Sequence, residues 1–171
     1  MELNGHKPQI GENTFVAPSA DLIGNIIVGK GSSVWFQCVL RGDVTPIKIG
    51  DYTNIQDGTI IHGTYNKHDV KIGNYVTIGH KAMLHGCHVG DEAFIGMGAT
   101  LLDGSVMAER SFLAAGSLLT QGSKTESGWM YMGSPAKKIR ELREDELKFL
   151  RQSANNYFEY KSWYTNEKEK T

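Results

Sequence analysis

The sequence predicts an all-β fold: a parallel β-helix of hexapeptide repeats that closes with one C-terminal α-helix. Three observations carry that reading. Glycine supplies 20 of the 171 residues and is spread along the chain instead of gathered in a linker. An aliphatic residue followed by glycine recurs at Ile10-Gly11, Ile23-Gly24, Val28-Gly29, Ile49-Gly50, Ile72-Gly73, Ile78-Gly79, Val89-Gly90 and Ile95-Gly96. The aliphatic positions fall five or six residues apart over long stretches, a period that no amphipathic helix shows.

Taken in order, Ile10, Val16 and Leu22 begin the units of a first coil, and Val28, Val34 and Leu40 those of a second. A middle coil begins at Ile49, Ile55 and Ile61. The best-ordered stretch places units at Ile72, Ile78, Leu84, Val89, Ile95, Leu101, Val106, Phe112 and Leu118, which predicts 17 residues per coil there. Each unit is a short strand and a corner. Three units close one coil with the aliphatic residue inward, and coils stack about 4.8 Å apart through parallel hydrogen bonds. Small corner residues permit the tight bends. Two segments run long: Arg41 to Lys48 by a few residues, and His62 to Lys71 by about five. Insertions on a rigid scaffold are where sites are usually built. The β-helix is expected over residues 1–134. Residues 135–171 form a C-terminal segment whose helix runs from about Arg143 to Tyr164, with Leu147, Leu150 and Ala154 at helical spacing against the prism. From Thr165 the tail is charged and expected to fray.

Composition narrows the function classes. Charged residues make up 22%, hydrophobic residues 40%, and the formal net charge is −1, values of a soluble globular chain. No Lys/Arg cluster is interleaved with aromatics, so nucleic acid is not an expected partner. No apolar run approaches the roughly 20 residues that span a bilayer, and no secretory signal opens the sequence. Two cysteines, Cys38 and Cys87, are too few for a disulfide framework. A cytoplasmic location is the expectation.

Register locates the histidines. His62 follows Ile61 and His85 follows Leu84, the third face of adjacent coils, so the two rings should stack on one edge. That separation suits two imidazoles converging on one metal, though simple stacking would look the same. His80 follows Ile78-Gly79 and lies on a different face. It reaches the same ion only from a neighbouring subunit, which predicts a homotrimer. His6, His68 and His88 read as ordinary solvated side chains, with His68 also placed to move protons from the long insertion.

With these residues in view, the chain resembles gamma-class carbonic anhydrases and their compact bacterial relatives. The matching motifs are Arg41-Gly42-Asp43, Asn54-Ile55-Gln56-Asp57, His62, Ile78-Gly79-His80, Leu84-His85-Gly86-Cys87 and Gly133-Ser134-Pro135-Ala136. The resemblance implies a left-handed helix, a hand that crossover rules alone would not give. It implies one divalent metal ion per subunit interface, zinc first and iron or cobalt as alternatives, held by His62 and His85 of one subunit and His80 of the next. It implies reversible hydration of carbon dioxide to bicarbonate by metal-bound hydroxide. Gln56 would orient hydroxide or bicarbonate, and Arg41 and Asp57 would pair across the interface. Asp43 and Asn54 would support that network. Tyr157 would reach the pocket from the terminal helix, with Tyr160 or Tyr164 as other counterparts. The acidic loop of the best-known members is absent: Val44 follows Asp43, and the long insertion offers Tyr65, His68 and Asp69 but no glutamate.

Three rivals stand beside this reading. A hexapeptide-repeat acyltransferase would use one histidine as general base and no metal. A metal-dependent acyl-CoA thioesterase would use the same ion, and a trimeric assembly protein would catalyse nothing. Cys87, beside the His85 segment, is either redox-sensitive or a buried inert thiol.

Overall fold

The computed structural model describes residues 1–165, so the expected tail beyond Thr165 lies outside the described residues. The chain winds as a left-handed parallel β-solenoid with a C-terminal helix. One inward column runs through Leu22, Leu40, Ile61, Leu84, Leu101 and Leu119. A second runs through Val28, Ile49, Ile72, Val89 and Met107, and a third through Val34, Ile55, Ile78, Ile95 and Leu113. All are buried and belong to one continuous core. The third column's strands make an eight-stranded sheet. The other two faces merge into one ten-stranded sheet because strands Asp21–Val28 and Val39–Ile49 run around their shared corner. Glycine lets one coil lie directly on the next. A Cβ at Gly96, for instance, would sit 2.3 Å from the Ala115 backbone nitrogen.

The last coils correct the expected register. Val106, Phe112 and Leu118 are not the inward residues; Met107, Leu113 and Leu119 are. Pairing runs Val89↔Met107, Ile95↔Leu113 and Leu101↔Leu119, which makes these coils 18 residues long, one more than expected. Each strand there carries two apolar residues in succession, so periodicity alone does not say which faces in. Phe112 is drawn outward because its ring stacks on Phe94, with centroids 4.7 Å apart and planes 2° from parallel.

The solenoid ends in a hairpin. Trp129–Gly133 continues the eight-stranded sheet, and Ala136–Glu141 folds back antiparallel to cover that edge. Gly133-Ser134-Pro135-Ala136 is its turn, so the hairpin straddles residue 134. The terminal helix is shorter than the expected 143–164 span. Helix α1 covers Glu144–Tyr160, and a four-residue turn of helix, α2, follows at Ser162–Thr165. Glu146 returns to the backbone nitrogen of Arg143 and also pairs with Arg140, fixing the helix start. Leu150, Ser153 and Ala154 are buried against the third face, and Arg151 lies over the Tyr75 ring while bonding Glu92 at 2.7 Å.

Both cysteines are buried in the solenoid core. Burial pushes the Cys38 thiol up to about 11 and the Cys87 thiol up to about 12, so neither supplies thiolate near neutrality.

Two measurements check this description. Met107→Ala should lower the unfolding free energy by about 2–5 kcal/mol in chemical denaturation, and Val106→Ala by clearly less. Equal losses would restore the 17-residue register. A thiol reagent at pH 8 should leave the native protein unmodified and label both cysteines after denaturation. Rapid native labelling of Cys87 would revive its redox reading.

Candidate metal centre

The two insertions leave the same corner of adjacent coils, between the first and second inward columns. Strand Val39–Ile49 carries the shorter one as a bulge against Asp21–Val28. The longer one folds tightly: Thr64 and His68 exchange backbone hydrogen bonds of 3.0 and 3.1 Å. The insertions touch at Gly63, where a Cβ would sit 2.4 Å from the Thr45 methyl group.

At this corner parallel pairing places His62 directly opposite His85. Their rings lie 5.2 Å apart, and His62 Nδ1 is 3.2 Å from His85 Nε2. The outer nitrogens both meet carboxylates. His62 Nε2 lies 3.0 Å from Asp43 Oδ1, and His85 Nδ1 lies 2.7 Å from Asp103 Oδ1. Burial pushes both carboxyls up. For Asp43, hydrogen bonds from Arg41 and His62 outweigh it; for Asp103, those from Thr64 and His85 do. Both stay below the usual carboxylate range and therefore act as acceptors only. With each ring donating outward to its carboxylate, His62 Nδ1 and His85 Nε2 face one another at a distance that either a shared proton or a metal ion can bridge. Two nitrogens bound to one tetrahedral zinc lie roughly 3.3–3.4 Å apart. The observed 3.2 Å and the outer carboxylates both suit that donor geometry.

His80 lies apart, as its register requires, on the edge that the third column shares with α1. Its Nδ1 is 2.8 Å from Asp57 Oδ2, so Nε2 is its free donor. Among the described residues of a single chain, no group of three or more His, Cys, Asp or Glu converges on a metal position. His80 opens on a cavity of about 210 Å³ lined with Trp35, Phe36, Tyr157, Tyr160, Trp163 and Tyr164. Tyr157 packs edge-on against Trp35. Burial, with the negative charge of Asp57 beside it, pushes its hydroxyl up to about 12. Tyr157 therefore attends His80, not the His62–His85 pair of its own chain. Arg41 is ion-paired with Asp43 and Asp57 with His80, so the expected Arg41–Asp57 pair is not made within one chain.

Gln56 is held by a chain of amides and hydroxyls. Asn54 Nδ2 donates to Thr77 Oγ1 at 3.0 Å and faces the Val76 carbonyl, which fixes Asn54 Oδ1 as an acceptor. Gln56 Nε2 donates to that oxygen at 3.1 Å. Thr77 Oγ1 donates in turn to Ser153 Oγ of α1 at 3.1 Å. Helix docking thus sets the amide orientation of Gln56 and leaves its Oε1 as the remaining acceptor. The His68 ring lies beside Gly104, in a separate cavity of about 270 Å³ shared with His88 and Lys124. His88 is occupied by Asp69 at 2.8 Å.

Sequence reading missed Asp103 and Thr64. Asp103 follows Leu101-Leu102 one coil beyond His85, at the register position of Gly86. Carrying the columns one coil further would have found it. Thr64 donates to Asp103 Oδ2 at 2.7 Å, a contact that depends on how the insertion folds and that no spacing announces.

No protein-family model matches the chain. The mitochondrial gamma carbonic anhydrase 2 of Arabidopsis thaliana is 45% identical over all of this chain, which spans 63% of that relative's length, under two thirds. Protein YrdA of Escherichia coli is 41% identical over 96% of this chain and 92% of its own length. A hexapeptide transferase family protein from Anaplasma phagocytophilum superposes with a TM-score of 0.91 at 45% identity, covering 94% of this chain and 95% of its own. Fold, motifs and relatives agree, and the chain belongs to the gamma-class carbonic anhydrase family of hexapeptide-repeat proteins.

Proposed function

We propose that the chain is a carbonic anhydrase-like enzyme that hydrates carbon dioxide reversibly to bicarbonate at the subunit seams of a homotrimer. His62 and His85 of one subunit and His80 of the next would hold a divalent ion there, zinc first, with iron or cobalt as alternatives. The observation that carries the reading is the 3.2 Å approach of His62 Nδ1 to His85 Nε2 between rings whose outer nitrogens are already engaged by carboxylates. The free Nε2 of His80, with Asp57 behind it, supplies a third donor of the same kind. When bound, such an ion lowers the pKa of water from 15.7 to about 7.

The chain's own residues have separate tasks. Asp43, Asp57 and Asp103 fix which nitrogen of each ring is available. Gln56, with its amide nitrogen committed to Asn54, offers Oε1 to a hydrogen-bond donor on the reacting solvent. Tyr157 and the aromatic rings around His80 limit water in the cleft. With its hydroxyl pushed to about 12, Tyr157 stays neutral and serves as a donor or a wall, not a base. Two free cysteines fit a reducing compartment such as the cytoplasm.

A second reading has one observation in its favour. The His80–Asp57 dyad faces a cavity of about 210 Å³, roomy enough for an acyl group, and the Anaplasma relative is named a hexapeptide transferase family protein. In that case His80 is a general base and coenzyme A binds in the cleft.

Elemental analysis of anaerobically purified protein, paired with carbon dioxide hydration on the same sample, separates the two. The first reading expects bound zinc, iron or cobalt and a hydration rate above buffer. His80→Ala should lose the metal while sedimentation still shows a trimer. A metal-free protein that binds coenzyme A and hydrates nothing with any of the three ions would sink it.

A further inference from the structure

We infer that Asp103 is a positioning residue that locks His85 as its Nδ1–H tautomer, and that Thr64 on the long insertion holds Asp103 in place to do so. Asp103 Oδ1 accepts from His85 Nδ1 at 2.7 Å while its Oδ2 accepts from Thr64 Oγ1, also at 2.7 Å. Both carboxylate oxygens are thereby committed and the carboxylate plane is fixed. The ring it grips turns Nε2 toward His62, 3.2 Å from His62 Nδ1. Without that grip, a neutral histidine side chain favours the opposite tautomer, whose Nε2 carries the proton and cannot ligate.

The backbone is shaped to allow this reach. Gly86 stands opposite Asp103 in the next coil at a φ of +54°, and a Cβ there would lie 2.3 Å from Asp103 Oδ1. The same Cβ would meet the Cβ of His68 at 2.6 Å. Any side chain at this position would push the carboxylate off His85 and the insertion off its seat. Glycine, the carboxylate and the threonine form one device, and it ties the fold of residues 63–69 to the state of a ring in the next coil. The five-residue excess of the longer insertion thus acquires a role that does not require an acidic loop.

The affinity arm of the test rests on the metal reading above, and the tautomer arm does not. Nitrogen-15 spectra of the metal-free protein at pH 8 should show His85 protonated at Nδ1. In Asp103→Ala the signal should move toward the Nε2–H form, and zinc binding measured by chelator competition should weaken by about 10–100-fold. Asp103→Asn keeps an oxygen for His85 and should restore the tautomer and most of the affinity, which a purely structural role would not produce. Thr64→Val keeps the side-chain shape and should shift both readouts in the same direction by less, so the inference does not depend on the alanine variant folding well. An unchanged His85 tautomer in both Asp103→Ala and Thr64→Val would overturn it. If the wild-type protein bound no zinc, the metal reading alone would fall, and the spectra would still decide the role of Asp103.

Discussion

Parallel stacking of one coil on the next is the constraint from which the rest follows. Because strands in adjacent coils pair residue for residue, a side chain's surroundings are set by whatever stands at the same register one coil above and below. The core is three aliphatic columns for this reason. The His62–His85 pair exists for the same reason: Ile61 lies over Leu84, and the next residues must then meet. Asp103 reaches His85 because the column continues one more coil. A register shift of one residue would turn each of these side chains to the other face of its strand.

That constraint also explains what the sequence disclosed. Residues at fixed spacing along a column are legible, so the inward positions from Val16 to Leu101 and the separation of His80 from the other two histidines could be read directly; Ile10, expected to open the first coil, pairs with Val28 but stays exposed because no coil stacks beyond it. Where two apolar residues follow one another, as in Val106-Met107, spacing is silent, and the stacking of Phe112 on Phe94 decides. Contacts between insertions, or between helix and prism, have no period at all. The Thr64–Asp103 bond and the path from Ser153 through Thr77 and Asn54 to Gln56 depend on tertiary packing alone. The break of the terminal helix near Lys161 belongs with them, since that lysine turns back to the Asn13 carbonyl.

The three candidate ligand histidines share one arrangement, each with one nitrogen on an aspartate: His62 on Asp43, His80 on Asp57 and His85 on Asp103. A carboxylate behind an imidazole makes the ring a better donor and stops it from turning. Arg41, paired with Asp43, offsets part of the negative charge gathered at the corner. The aromatic lining of the His80 cleft adds a largely apolar wall.

The placement of both insertions at a single corner has a wider implication. A solenoid can lengthen at one vertex while its other two vertices, and all three aliphatic columns, keep their geometry. The surroundings of the His62–His85 pair can therefore change through that vertex without disturbing the columns. Chains with closely superimposable prisms can carry different chemistry, and likeness of the prism by itself says little about which reaction a given chain performs.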